Sequence, residues 1–199
     1  MKLFYAPTSP YARKVRTFVR EKGLSGVEEI AVNPWEDPPE LRAVSPIGKV
    51  PALVLDDGNA VYDSPVICDY LDGVGEGPRL ISEDSDARRK VMIAQALGDG
   101  VLDMAVAMVM EGRRPDGERS PSMVERWRGQ ALAGVAVMAR DVSGLGDGVT
   151  LGHIAFGCAL GYLDFRHDAL GWRQGHDALA KWFGEFAARP SMIDTKPEA

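Results

Sequence analysis

Val50-Pro51, followed twelve residues later by Asp63-Ser64, limits what this chain can fold into more than any other feature. Between them stand Ala52-Leu53-Val54-Leu55, the turn Asp56-Asp57-Gly58-Asn59, and a second short apolar run, Ala60-Val61-Tyr62. The pattern predicts strand, hairpin, strand and then a helix start. A proline that opens a strand has no N–H to lose from the ladder, and tight turns are where cis X–Pro bonds occur. With that geometry the Val50 backbone faces outward and is open to an extended peptide. Asp63-Ser64 offers a carboxylate, a hydroxyl and the open N–H groups of a helix N-terminus. One end pairs with a peptide backbone and the other holds an amino-acid head group bearing both charges. The expectation is a site for a small zwitterionic peptide.

The segments before this hairpin supply the rest of a sheet. Met1 to Tyr5 reads as a strand. Ala6-Pro7-Thr8-Ser9-Pro10-Tyr11 reads as a turn into a helix, with Ser9 as N-cap and Pro10 at the first helical position. Tyr11, Val15, Phe18 and Val19 have helical spacing, and Gly23 is a C′ stop. Val27 to Val32 reads as a second strand, Asn33 to Pro39 as a loop and Glu40 to Val44 as a short helical turn. Ser64 to Leu71 is a helix with Pro65 in its first turn. The order βαβαββα is a thioredoxin-like layout, in which helical crossovers give a parallel pair and the hairpin adds antiparallel strands.

Gly73 to Asp84 carries three glycines, Pro78 and several charges, the composition of a linker. Beyond it the pattern is helical: 85–110 (one helix or a broken pair), 123–139, 150–164 and 178–189, with a polar loop over 111–122. The expected fold is therefore α/β followed by all-α, with domains at 1–80 and 85–199. The chain has 199 residues, 45% of them apolar, and a net charge of −6. No basic stripe marks it for nucleic acid. No apolar run approaches the ~20 residues that span a bilayer, and Met1 opens directly into a strand with no secretory signal. Cys68 and Cys158 sit ninety residues apart in apolar helical patterns, which suits a reducing cytoplasm better than a disulfide framework or a zinc site.

Together, the Ser9 turn, Val50-Pro51 and Asp63-Ser64 resemble the glutathione-binding half of the glutathione transferase family, with a serine-type N-terminal loop as in its bacterial members. Three motifs in the right order and spacing carry the likeness through most of the first eighty residues. The resemblance implies glutathione as co-substrate, with its γ-glutamyl end at Asp63 and Ser64 and its cysteinyl backbone on Val50 beside Pro51. Lys49 is a candidate for a ligand carboxylate. Ser9 is the leading catalytic candidate and Thr8 its rival; Tyr5 ranks third because it lies in the strand. Ser9-Pro10-Tyr11-Ala12 is similar to the Cys-Pro-Tyr-Cys loop of glutaredoxins with both cysteines gone, so thiol–disulfide exchange by this loop is not expected. A hydroxyl at a helix N-terminus can instead donate to the thiolate of the ligand. Free cysteine titrates near ~8.5, and a donor and dipole worth ~2–3 kcal/mol lower that by about two units, making thiolate the main form at neutral pH. The plainer reading of Ser9 and Asp63-Ser64 is helix capping alone.

Two departures from the family stand out. After the second strand, several subfamilies have Lys, Gln or His for the glycyl carboxylate; here the loop is Asn33-Pro34-Trp35-Glu36-Asp37, leaving Lys49 or Arg13 to help. Thr150-Leu151-Gly152-His153 starts a helix where the family has Ser/Thr, two residues, then Asp, a capping box. His153 either accepts through a ring nitrogen or leaves a weaker cap. Asp99 and Asp103 share a helix face with Gln95 beside them, and in the family an acid of this helix reaches across a dimer toward the ligand amine. Met104, Met108, Met110, Arg113, Arg114, Phe165 and Trp172 are candidates to line an electrophile pocket, although ordinary helix packing is the better single reading of each. Asp164 and Arg166 are read as structural and paired with neighbours.

The reading that follows is a cytoplasmic, homodimeric glutathione transferase of the detoxifying kind. It conjugates glutathione to a small hydrophobic electrophile, with no metal, nucleic acid or membrane involved. A non-catalytic scaffold of the same fold, or another glutathione-dependent reaction (peroxidase, isomerase or dehalogenase), is the alternative.

Overall fold

A computed structural model describes residues 1–197, which divide into two compact units: Met1–Glu83 with the chain from Pro190 onward, and Asp84–Arg189. In the first unit β1 (Lys2–Tyr5) leads into α1 (Pro10–Lys22), β2 (Glu28–Ala31), a 3-10 turn (Pro34–Glu36) and α2 (Pro39–Val44). The hairpin β3 (Ala52–Val54) and β4 (Ala60–Val61) follows, then α3 (Ser64–Asp72). The sheet order is β2-β1-β3-β4, with β1 and β2 parallel and the other pairs antiparallel. This is the expected thioredoxin-like arrangement.

Side chains alternate across a strand, so Leu3 and Phe4 serve opposite faces. Phe4 joins Ala52 and Leu41 of α2 in a core flanked by Ile30, Val44 and Val54. Leu3 pairs with Leu53, both fully buried, and α1 and α3 pack together with α3 against β3. Helix α1 is bounded as its sequence demands. Ser9 caps its start, Pro10 opens it, and Gly23 closes it at φ 69°, where only glycine is free of a Cβ clash.

The segment from Gly73 on is less loose than its glycine content suggests. Lys22, 1% exposed, donates to the carbonyls of Gly77 and Pro78 at 3.3 and 3.0 Å. The buried Asp72 carboxylate accepts from the Leu80 N–H at 2.8 Å, and Leu80 and Ile81 are themselves buried. A buried ammonium must be hydrogen-bonded to persist, and here the linker's own backbone provides the partners. The chain from Pro190, including α8 (Pro190–Ile193), also belongs to this unit. Arg13, 7% exposed, donates to the Met192 carbonyl at 3.0 Å, and the Thr17 and Thr195 hydroxyls are bonded at 3.0 Å.

The second unit is helical: α4 (Ser85–Gly112), α5 (Pro121–Asp141), α6 (Leu151–His167) and α7 (Asp177–Ala187), with short 3-10 turns between them. Helix α4 is a single uninterrupted helix. By length and composition alone it meets the requirement for crossing a membrane, which the sequence reading had not anticipated. Its buried residues, among them Val91, Val101, Leu102 and Ala105, lie in a helix that packs on α5 and α6. Residues 151–160 of α6 are all buried. Helices α4 and α6 approach through small residues: a Cβ on Gly98 would lie 2.8 Å from that of Ala155, and one on Gly152 would lie 2.9 Å from that of Ala94.

Candidate functional site

Strand register brings the candidate residues of the first unit to one edge of the sheet. Phe4 pairs with Ala52, so the chain leaving β1 toward Thr8 and Ser9 emerges beside the chain entering β3 from Val50-Pro51. Leu53 pairs with Val61, so Asp63 and Ser64, two and three residues past β4, come out at that same edge. Tyr5 pairs with Ala31, which adds the loop holding Trp35.

The groups at this edge differ in how they are engaged. Ser9 is half-buried, and its hydroxyl oxygen accepts from the Ala12 N–H at 3.2 Å, leaving the O–H to donate elsewhere. Thr8 is also half-buried, in the turn. Tyr5 lies in β1 with the Arg16 guanidinium 4.3 Å from its ring centroid. The Val50–Pro51 bond is cis, as is Tyr62–Asp63. Val50 is half-buried, and among the described residues its N–H and C=O enter no backbone hydrogen bond. Asp63 occupies the N-cap of α3 without a side-chain capping bond, so its exposed carboxylate is not spent on the helix, while Ser64 is buried. The first-turn N–H groups of α3 therefore face the same edge as a free carboxylate.

Lys49 is exposed, and its N–H donates to the Ser45 hydroxyl at 3.2 Å. Arg13 is turned to the Met192 carbonyl, a structural engagement that draws it away from the role of glycyl-carboxylate ligand. Arg42 was not singled out from the sequence. Its guanidinium grips both oxygens of Asp37 and also donates to the Pro46 carbonyl at 3.1 Å, tying the loop that delivers Val50. Gly48, at φ 64°, lies under that guanidinium, where a Cβ would sit 3.2 Å from Arg42 Nε. An Asp and Arg five residues apart around two prolines were the only signal of this brace.

Comparison with known proteins puts these features in a lineage. Residues 8–74 match the model of the glutathione S-transferase N-terminal domain, and residues 122–185 match that of the C-terminal domain. The chain belongs to the glutathione S-transferase family. An uncharacterized transferase-like protein of Escherichia coli K12, YibF, is 32% identical over 99% of this chain and 98% of its own. Maleylacetoacetate isomerase of Pseudomonas aeruginosa is 34% identical over 71% of this chain and 70% of its own. A glutathione transferase family member from Pseudomonas fluorescens Pf-5, solved with bound glutathione, is 38% identical with a TM-score of 0.95, covering 100% of this chain and 99% of that one. The Pseudomonas fluorescens protein was also solved with bound S-(propanoic acid)-glutathione, at 39% identity and a TM-score of 0.91 over the whole of both chains.

In the helical unit of this transferase-family chain, several candidates have structural duties. Trp172 is 2% exposed and donates from Nε1 to Asp164 at 2.7 Å, so it presents no wall to a ligand. Arg173 grips the same carboxylate at 2.6 and 2.7 Å, giving Asp164 the structural role expected of it. Met108 is buried, and Arg114 is bonded to Glu118. Gln95, 4% exposed, donates to Asp99, which offsets the like charge of Asp103 one turn on.

The capping box at α6 is complete. His153 N–H donates to the Thr150 hydroxyl oxygen at 3.4 Å, and His153 Nδ1 accepts from the Thr150 N–H at 3.2 Å. An imidazole thus does what the family's carboxylate does. Its proton must then sit on Nε2, and the ring packs against Trp182 and Phe186. Burial is the main cause of a lowered His153 pKa; the nearby Arg189 charge adds to it, and a hydrogen bond to the Gly146 backbone opposes it.

Proposed function

We propose that this protein binds glutathione at the sheet edge of its first unit and transfers the thiolate to a small electrophile. The γ-glutamyl head group is held by the Asp63 carboxylate, Ser64 and the open N–H groups of α3. The cysteinyl backbone pairs with Val50 beside cis-Pro51. Ser9 donates its hydroxyl proton to the thiolate, Thr8 being the alternative donor, and Lys49 is the cation available to a ligand carboxylate. Catalysis comes from holding the sulfur as thiolate near its target, with no group on the enzyme forming a covalent intermediate. The observation that supports this reading most is the emergence of the Ser9 turn, Val50-Pro51 and Asp63-Ser64 at a single sheet edge, with the Asp63 carboxylate unspent. The relative holding S-(propanoic acid)-glutathione extends the reading to conjugates that carry a carboxylate on the sulfur substituent.

Isothermal titration with glutathione tests this on wild type and Asp63→Ala. The expected result is a Kd below about 1 mM, weakened at least tenfold (about 1.4 kcal/mol) in the variant. Absence of binding in a folded sample overturns the proposal and moves the protein to the non-catalytic class. An isomerase is the second reading, favoured by likeness to the Pseudomonas aeruginosa enzyme; cis-to-trans isomerisation of maleylacetoacetate without loss of free glutathione would select it. We assign the protein to the cytoplasm, where Cys68 and Cys158, both buried and not in disulfides, remain reduced. We also assign it a homodimeric state, supported by the exposed Tyr62, Val66 and Tyr70 on and beside α3; light scattering behind size exclusion decides between one copy and two.

A further inference from the structure

Asp37 is, among the described residues, the one residue other than glycine with a left-handed backbone, at φ 51°. It ends the 3-10 turn Pro34–Glu36, and its N–H donates to the Pro34 carbonyl at 3.4 Å. A residue with a Cβ enters this region at a cost, although Asp does so more readily than most. Such residues persist where their surroundings hold them, and they gather at functional sites. Here the holder is Arg42 of α2. Its Nε donates to Asp37 Oδ1 and its Nη2 to Oδ2 at 3.0 Å, a forked pair, while Nη1 donates to the Pro46 carbonyl at 3.1 Å. One guanidinium thus joins the loops on either side of α2.

The second of these loops is also fastened from within. Gly48 N–H donates to the Ser45 carbonyl at 2.8 Å, Lys49 N–H donates to the Ser45 hydroxyl at 3.2 Å, and Ser45 itself is buried. Gly48 lies against the fork: a Cβ there would meet Arg42 Nε at 3.2 Å and Asp37 Oδ1 at 3.5 Å. The donors of Gly48 and Lys49 are therefore spent inside the turn. The next residue is Val50, whose side chain packs on the Phe4, Leu41 and Ala52 core while its N–H and C=O enter no backbone hydrogen bond among the described residues. Asp37 and Arg42 are each about half exposed. An exposed ion pair adds little to the stability of a whole domain, so the effect of this fork is local: it sets where the Lys49–Val50 segment runs.

We propose that the Asp37–Arg42 fork is a positioning device for the Val50 peptide, presetting its N–H and C=O in the pose that pairs with the backbone of a peptide ligand. Arg42 is a positioning residue: it acts through the 45–50 turn and does not itself touch the ligand. The inference rests on the glutathione reading above and adds to it that affinity depends on a loop fastened before the ligand arrives. A loop released from the fork that visits the pairing pose about a tenth of the time binds about tenfold more weakly.

Glutathione titration calorimetry on the full-length protein tests it, together with amide exchange of the free protein followed by NMR. The variants are Arg42→Gln, Arg42→Lys, Asp37→Gly and the double variant of Asp37→Gly with Arg42→Gln. Each single variant is expected to raise the Kd about tenfold, and the double variant no further, because the two side chains act as one unit. Without ligand, the Gly48 and Lys49 amides should exchange about tenfold faster in each variant. Thermal midpoints should stay within about 4 °C of wild type, as the loss of an exposed pair allows, and glycine at position 37 suits the left-handed backbone. Arg140→Gln, which breaks a forked pair with Asp141 in the helical unit, leaves the Kd unchanged. Lysine keeps the charge of arginine but cannot fork, so wild-type affinity in Arg42→Lys would mean that the charge acts directly and would overturn the proposal. A Kd within about twofold of wild type in Arg42→Gln, losses that multiply in the double variant, or unchanged exchange at Gly48 and Lys49 would also overturn it. Wild-type binding untouched by the variants sinks this inference alone; a folded wild type that binds no glutathione sinks the glutathione reading and this inference with it.

Discussion

Ser9 caps α1, and the proposed function gives it a second duty that substitution can separate. Its oxygen caps α1 while its proton is free to donate. Glycine keeps most N-cap stability, to within a few tenths of a kcal/mol, but has no hydroxyl. Ser9→Gly is therefore expected to leave the thermal midpoint nearly unchanged. Its kcat/KM for conjugation should fall by about 10- to 100-fold, the loss of one hydrogen bond to a charged sulfur. An unchanged rate would hand the role to Thr8. His153 gives a second residue-scale prediction. Its pKa is held below the ordinary 6.5, so the native state resists protonation that the unfolded state accepts. The stability this group contributes is complete above pH 6.5 and is lost as pH falls from there through the folded value. A proton on Nδ1 would also end its acceptance from Thr150. His153→Gln supplies an acceptor that does not titrate. In urea denaturation the difference between variant and wild type should be flat above pH 7 and move in the variant's favour as pH falls below 6.5. A pH-independent difference would remove His153 from the acid response.

Elements are where the sequence was most legible. Punctuation by Ser9-Pro10, Gly23, Pro51 and Ser64-Pro65 marks chemistry confined to one or two residues, and the helices and strands follow it closely. The brace of Arg42 on Asp37, the buried Lys22 and the return of the last residues to the first unit were not legible. Each depends on a partner brought near only by the fold, and a lone lysine or arginine in a sequence looks like solvated surface. The same holds for Arg166, expected to be paired with neighbours, whose guanidinium lies 4.0 Å from the Phe165 ring centroid. The α4–α6 contact gives the prediction at this scale. Gly98→Val places methyl groups where even a Cβ meets Ala155 at 2.8 Å. It should cost roughly 1–3 kcal/mol in chemical denaturation, the range for overpacking. A loss below 0.5 kcal/mol would mean that the two helices part without cost.

At the scale of the whole molecule, the first unit is built from both ends of the chain. Truncation after Arg189 would remove the Met192 carbonyl from a buried guanidinium and Thr195 from Thr17. The expected loss is about 1.5–3 kcal/mol from the charged hydrogen bond alone, seen as faster amide exchange in α1 by mass spectrometry. Unchanged exchange there would show the last segment to be dispensable. This closure also sets an order of events during synthesis. The ribosome finishes α1 long before it makes Met192, and at 5–20 residues per second the delay is roughly 10–30 s. Throughout that interval the nascent first unit carries Arg13 without its Met192 acceptor. Stop codons or ribosome stalling upstream of Pro190 would thus yield a nascent chain whose first unit is made but not latched, a natural substrate for chaperones and quality-control proteases.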